Sequence, residues 1–328
     1  MREIVFIERH EDRWRSIEGR LGRTSSVDPD VLASDYVSVI DDLAYARAQY
    51  PTSLTTEYLN QLAALAHSAL ARNRRAHVRG TATYWLSTVP LSFLAIRQDI
   101  LISLGGLLFM SVVGFLAGIT DESFIRLILS NAYVDMTISN IEAGHPMNVY
   151  ASRDGWQMFA GIAINNLFVM LRVVALGLIP IVGVMGSVVY HGLMIGSFFA
   201  LFANHSVLET SFLAVFVHGA FELSCLVVTA AAGLHAGMSY VNPGTLPRQT
   251  AFIQAARRSI TIAIGMIPFI IAAAILEGFV TRWSDMPLLL NLVIIVGSFV
   301  LIWGYVSILP TFLIKKAHAH ARTRTPVA

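Results

Sequence analysis

Lysine is nearly missing from this 328-residue chain: of 23 basic residues, only Lys315 and Lys316 are not arginine. Charge of either sign is scarce, at 13% of residues, about half the roughly 25% of a globular protein. The net charge of +2 is too small to argue for nucleic acid as a partner. Cys225 is the single cysteine, which excludes an internal disulfide and a cysteine-based zinc cluster within one chain. No serine nucleophile elbow, phosphate loop or periodic acidic calcium site occurs. What the chain has is apolar surface: 55% hydrophobic residues and a mean hydropathy of +0.63. That composition belongs to an all-α, polytopic membrane protein. A cleavable secretion signal is not expected, because the first strongly apolar run begins only near Ile100.

The stretch Val215–Tyr240 organises the rest. It is long enough to cross a bilayer, since about 20 helical residues span about 30 Å, yet it carries His218, Glu222 and His235. Ionisable groups at that depth cost roughly 2.5–3.5 kcal/mol each and face protein or a wet cavity. His218 and Glu222 are four apart, so they share a helix face. Six spans are expected, near Ile100–Ile119, Phe159–Leu178, Ile181–Ala203, Phe212–Tyr240, Ile260–Val280 and Leu288–Leu309. Pro268 should kink the fifth.

Residues 1–80 read as a small cytosolic domain of three helices, with breaks at Gly22–Pro29 and Tyr50–Ser53. Tyr36, Val39, Ile40 and Leu43 mark the inward side of the second helix, and Leu59, Leu62, Leu65, Ala66 and Leu70 that of the third. The third closes on Arg72, Arg74, Arg75 and Arg79. Residues 81–99 suit an interfacial helix, or else a lead-in to the first span. Residues 100–310 form the bundle, with an outer loop at 120–158 that could cap it, and 311–328 form a basic tail holding His318 and His320. Arg248, Arg257 and Arg258, the tail cations and the amino-terminal arginines all fall on one side of a six-span chain. By the positive-inside rule that side is the cytoplasm, with both termini inside a bacterial inner membrane. The outer loop has only Arg126 and Arg153 against five acids. Three Gly-x-x-x-Gly pairs, Gly114/Gly118, Gly192/Gly196 and Gly233/Gly237, suggest close helix packing, within one chain rather than between chains, although a homo-oligomer is allowed.

The residues that carry chemistry are few. Counting depth along the spans places His218, Glu222 and Glu277 together in the outer half, with His191 at the edge. Three such side chains and a water make a catalytic zinc site, so a divalent metal such as zinc is the one cofactor this cluster could hold; no other is expected. Against that stands the common use of buried polar pairs to lock helices, and a proton or ion relay is a third use. Asn165 and Asn166 read as interhelical hydrogen-bonding groups, Arg172 as a snorkelling cation, and Arg248 as part of the ordinary positive-inside bias, with a basic patch for anionic lipid as the alternative.

Ordered words along the chain carry a likeness. They are Phe6-Ile7-Glu8-Arg9-His10, Trp14, Asp42–Arg47, Tyr58-Leu59-Asn60 and Ala66-His67. In the bundle they are Asn165-Asn166, Gly177–Gly196, His218–Glu222, Pro243-Gly244 with Arg248, and Glu277-Gly278-Phe279. From about residue 4 to 282 the chain resembles the stage II sporulation protein M family of integral membrane proteins. The resemblance implies a role at the cell envelope through protein partners. The sporulation member works with membrane-anchored cell-wall hydrolases during engulfment, and some relatives are encoded near a MoxR-type AAA ATPase. The long arginine-rich amino-terminal part is typical of the broader relatives, so a scaffold or assembly factor is the implied function. An intramembrane metal-dependent hydrolase centred on His218 and Glu222 is the alternative, and an ion- or proton-coupled transporter the third.

Overall fold

The computed structural model describes residues 2–21, 29–77, 81–148, 154–281 and 286–324. The break expected from Gly22, together with Arg79 and Arg153, lies outside them, as do the side chains of Arg72, Arg74, Arg75, His318 and His320. Among the described residues all regular structure is helical, and the chain divides into two units, Met1–Tyr84 and Trp85–Ala328.

The first unit holds α1 (Glu3–Leu21), α2 (Pro29–Gln49) and α3 (Leu54–His77). Phe6, Trp14 and Ile17 of α1 pack with Val39, Leu43 and Ala46 of α2 and with Leu59 and Leu62 of α3. Periodicity misplaced two residues: Ile40 is 37% exposed and Leu65 52% exposed. In α2 the inward positions go instead to two acids, Asp35 and Asp42. Arginines of α1 make that burial tolerable. Arg20 grips Asp35 with two nitrogens at 2.8 and 2.7 Å. Asp42 accepts from Arg13 at 2.5 Å and from the Trp14 indole N–H at 2.8 Å. A buried carboxylate with this many donors no longer carries the cost of an unpaired charge.

The second unit contains six helices long and apolar enough to span a membrane: α4 (Tyr84–Thr120), α7 (Gly155–Leu178), α8 (Val182–Asn204), α9 (Leu208–Val241), α10 (Arg248–Val280) and α11 (Leu288–Ala317). Two short helices, α5 (Glu122–Leu129) and α6 (Asn131–Glu142), lie between α4 and α7. Residues 85–96 pack on the bundle: Val89, Phe93 and Ile96 are fully buried, and the Tyr305 hydroxyl donates to the Trp85 carbonyl at 2.7 Å. The α10 helix continues through Pro268.

α9 is the centre. It packs against all five other spans, and its apolar window is 61% buried, against 11% for α7. Small residues make this possible. A Cβ on Gly237 would come within 2.6 Å of the Gly177 carbonyl oxygen, so the two backbones touch with no side chain between them. The most extensive helix pairing is α4 with α8. There Gly114 sits on the Leu193 backbone, and Gly192 on Met110 and the Leu107 carbonyl. All three glycine pairs are therefore used inside one chain.

α7 and α8 are joined by a γ-turn, in which the Val182 N–H reaches the Pro180 carbonyl at 2.7 Å. It is centred on Ile181 at φ 65°, ψ −65°, a strained geometry for a β-branched residue. Helices α5 and α6 cap one end of the bundle. Ile125 and Val134 are fully buried against Ala200, Leu201 and Phe202 at the end of α8. Asp121 caps α5 by accepting from the Ser123 N–H at 2.8 Å, and Ser130 caps α6.

Candidate functional site: a polar triad at membrane depth

His218 and Glu222 lie one turn apart on α9, about a third of the way along it. Glu277 comes from the far end of α10, within a π-helical turn, Leu276–Val280. The three side chains converge: one ligand-type atom from each lies within 4.8 Å of the others. His218 Nε2 is 3.9 Å from Glu277 Oε2, and the Glu222 carboxyl group stands beside that of Glu277 in the same cluster. The fourth member is Asn166 of α7, whose amide donates to Glu222.

Hydrogen bonding fixes the histidine. The Thr281 hydroxyl donates to the Leu276 carbonyl at 3.2 Å. Its oxygen then accepts from His218 Nδ1–H at 3.0 Å. Nδ1 is thereby the donor nitrogen, and the basic Nε2 faces Glu277. This is how ligating histidines are commonly oriented, by a partner on the other ring nitrogen.

The triad opens on a pocket of about 380 Å³. His218, Gly219 and Glu222 form one wall. The remaining walls are apolar and aromatic, including Met194, Phe198 and Phe199 of α8 and Ile128, Leu129 and Tyr133 of α5 and α6. The two short helices thus do more than cap; they line the pocket beside the polar residues.

The other singled-out residues go elsewhere. His191 is bonded within its own helix, Nδ1 to the Ser187 carbonyl at 2.7 Å, and is not part of the triad. Asn165 donates to Asn166 at 3.3 Å. Arg172 and Arg248 are exposed. His235 belongs to a second cluster, donating from Nδ1 to Asp99 of α4 at 3.1 Å and accepting at Nε2 from Arg258 of α10 at 3.3 Å. Seventeen residues of α9 separate it from His218, about 25 Å of helix. Sequence reading passed over Thr281 and Asp99. Only the acid carried a signal, as a carboxylate directly before the first apolar run.

A bundle of six apolar helices, with a buried histidine beside two half-buried glutamates at the wall of a pocket, defines a polytopic membrane protein built around a polar site. Residues 100–282 match the family described as Stage II sporulation protein M, and residues 4–72 match a domain of unknown function, DUF8413. The chain belongs to the Stage II sporulation protein M family. No curated protein and no solved structure matches it.

Proposed function

We propose that the bundle is an intramembrane metal-dependent hydrolase, with His218, Glu222 and Glu277 holding one divalent cation. The observation that carries this reading is the convergence of three ligand-type side chains at the wall of a pocket. A helix-locking pair needs neither a third ligand nor a cavity. Zinc–ligand bonds of about 2.0–2.1 Å imply ligand separations near 3.4 Å in a tetrahedron. The 3.9 Å between His218 and Glu277 is therefore closed by a shift of about half an ångström. The cation would activate a water for attack on an ester or amide, and Asn166 holds the Glu222 carboxylate in place. Metal analysis of the purified full chain tests this. About one zinc, manganese or iron per chain is expected, falling to background in Glu277→Gln and His218→Ala that still melt cooperatively. A metal-free wild type sinks the proposal.

Insertion in a bacterial inner membrane with both termini cytoplasmic is supported by the placement of the arginines. Under the second reading the chain is an envelope scaffold or assembly factor. The division of the chain into a compact amino-terminal unit and a bundle favours it. A membrane-anchored cell-wall hydrolase or a MoxR-type ATPase would be its partner. In that case His218→Ala leaves partner capture intact, and truncation of residues 1–80 abolishes it.

A further inference from the structure

The pocket beside the triad has a shape and a chemistry of its own. At the roughly 30 Å³ occupied by a water-sized group, 380 Å³ holds about a dozen methylenes. Phe198, Phe199 and Met194 supply an apolar wall, and Phe199 continues into an aromatic array with Phe212 and Phe216. Polarity is concentrated at His218 and Glu222. Among the described residues no lysine or arginine lines the pocket, so no side chain described there pairs with a phosphate or a free carboxylate. Most of the lining comes from α8 and α9, which are long and apolar enough to span a membrane, with α5 and α6 supplying the rest, so the bilayer is the nearest reservoir for an occupant.

We infer that the pocket takes one acyl chain of an uncharged amphiphile, a monoacylglycerol or a fatty amide, with its carbonyl beside His218 and Glu222. The inference names the substrate class of the proposed hydrolase and rests on that reading for its biological use, but the binding itself needs no metal. Gly219 is the residue that makes room. It lines the pocket between the two polar side chains. A Cβ added there would meet only Val215 Cγ1, at an ordinary 3.4 Å. A larger side chain therefore grows into the pocket without parting two helices. Gly186, on α8, has nothing within 4 Å of an added Cβ and does not line the pocket, so it serves as the matched control.

The full chain in detergent is irradiated with a monoacylglycerol carrying a mid-chain diazirine, and the labelled peptides are mapped by mass. Label is expected on peptides containing Phe198 and Leu129, displaced by unlabelled monoacylglycerol. Gly219→Leu should cut it about tenfold, the loss expected when a leucine displaces about two methylenes of chain, while Gly186→Leu leaves it unchanged. Label insensitive to Gly219→Leu, label spread evenly over the lipid-facing helices, or equal labelling by a fatty acid or a lysophosphatidic acid would each overturn the inference. Repeating the experiment with chelator separates the two readings. Label that persists in a chain that binds no metal supports the acyl site and removes the hydrolase. Metal binding without pocket label overturns the acyl site alone.

Discussion

Gly114 offers a direct test of how the bundle is held together. An alanine there would place its Cβ 2.6 Å from the Leu193 carbonyl oxygen and 2.9 Å from Leu193 Cα. Ordinary contact begins near 3.5 Å, so α4 and α8 must part by about 0.9 Å. A gap of that size forfeits a quarter to a half of the local dispersion energy, and overpacking typically costs about 1–3 kcal/mol. Without the packing, alanine would raise stability, since it is the better helix former by about 1 kcal/mol. Gly105, on the same helix, has nothing within 4 Å of an added Cβ and isolates that intrinsic effect. Cys225 provides the readout: it is the only cysteine, and it is fully buried on the central helix. A thiol-reactive fluorophore followed during heating reports its release. Gly114→Ala should lower the midpoint by roughly 3–10 °C for a unit of this size, and Gly105→Ala should leave it unchanged or raise it. Equal behaviour of the two variants would refute the packing. A loss that depends on protein concentration would instead place the contact between chains.

Other expectations follow from single contacts. Asp42→Ala strips the Trp14 indole of its buried acceptor and should destabilise the amino-terminal unit by about 1–3 kcal/mol, measured by denaturant unfolding of residues 1–80 expressed alone. Ile181→Gly relieves the strained γ-turn and should stabilise the bundle by about 1 kcal/mol in the same thiol-release assay. Thr281→Val removes the acceptor that sets the His218 tautomer; metal affinity should fall about 10–100-fold with the fold intact, by competition with a chelating dye. The Asp121 carboxyl is held below its usual range by the Ser123 hydroxyl and N–H. Because the folded value is the lower one, its contribution is complete above the ordinary carboxylate range and is lost as pH falls through the folded value. Hydrogen exchange of the Ser123 and Phe124 amides should therefore separate wild type from Asp121→Asn at neutral pH and converge in acid.

The six spans were legible because a helix in lipid must satisfy its own backbone, so length and hydropathy suffice. The meeting of His218 and Glu222 followed from their four-residue spacing, and Glu277 from counting depth along the next span. Depth alone misled at His191. It reaches a similar level but points to its own helix, and rotation about the axis leaves no trace in hydropathy. In α2, periodicity marked a side from the apolar residues alone. Asp35 and Asp42 turn inward because arginines of α1 meet them, an exchange visible only once the helices are packed. Thr281 was out of reach for another reason. A hydroxyl 63 residues from its histidine follows no pattern of charge or spacing.

The π-helical turn at Leu276–Val280 has a consequence for the kinds of change the site survives. The Thr281 N–H returns to the Leu276 carbonyl, five residues back, at 2.8 Å, so this turn holds one residue more than an α-turn. Each helical residue advances about 100° around the axis. Losing one of the residues between Glu277 and Thr281 would let the turn close as an ordinary α-turn, with the threonine N–H still on the Leu276 carbonyl and its hydroxyl still beside His218. The same loss within the α-helical part of α10 would instead turn everything beyond it by a little over a quarter-circle. The surplus residue therefore acts as slack: a miscount of one is absorbed next to the site and costly elsewhere in the helix.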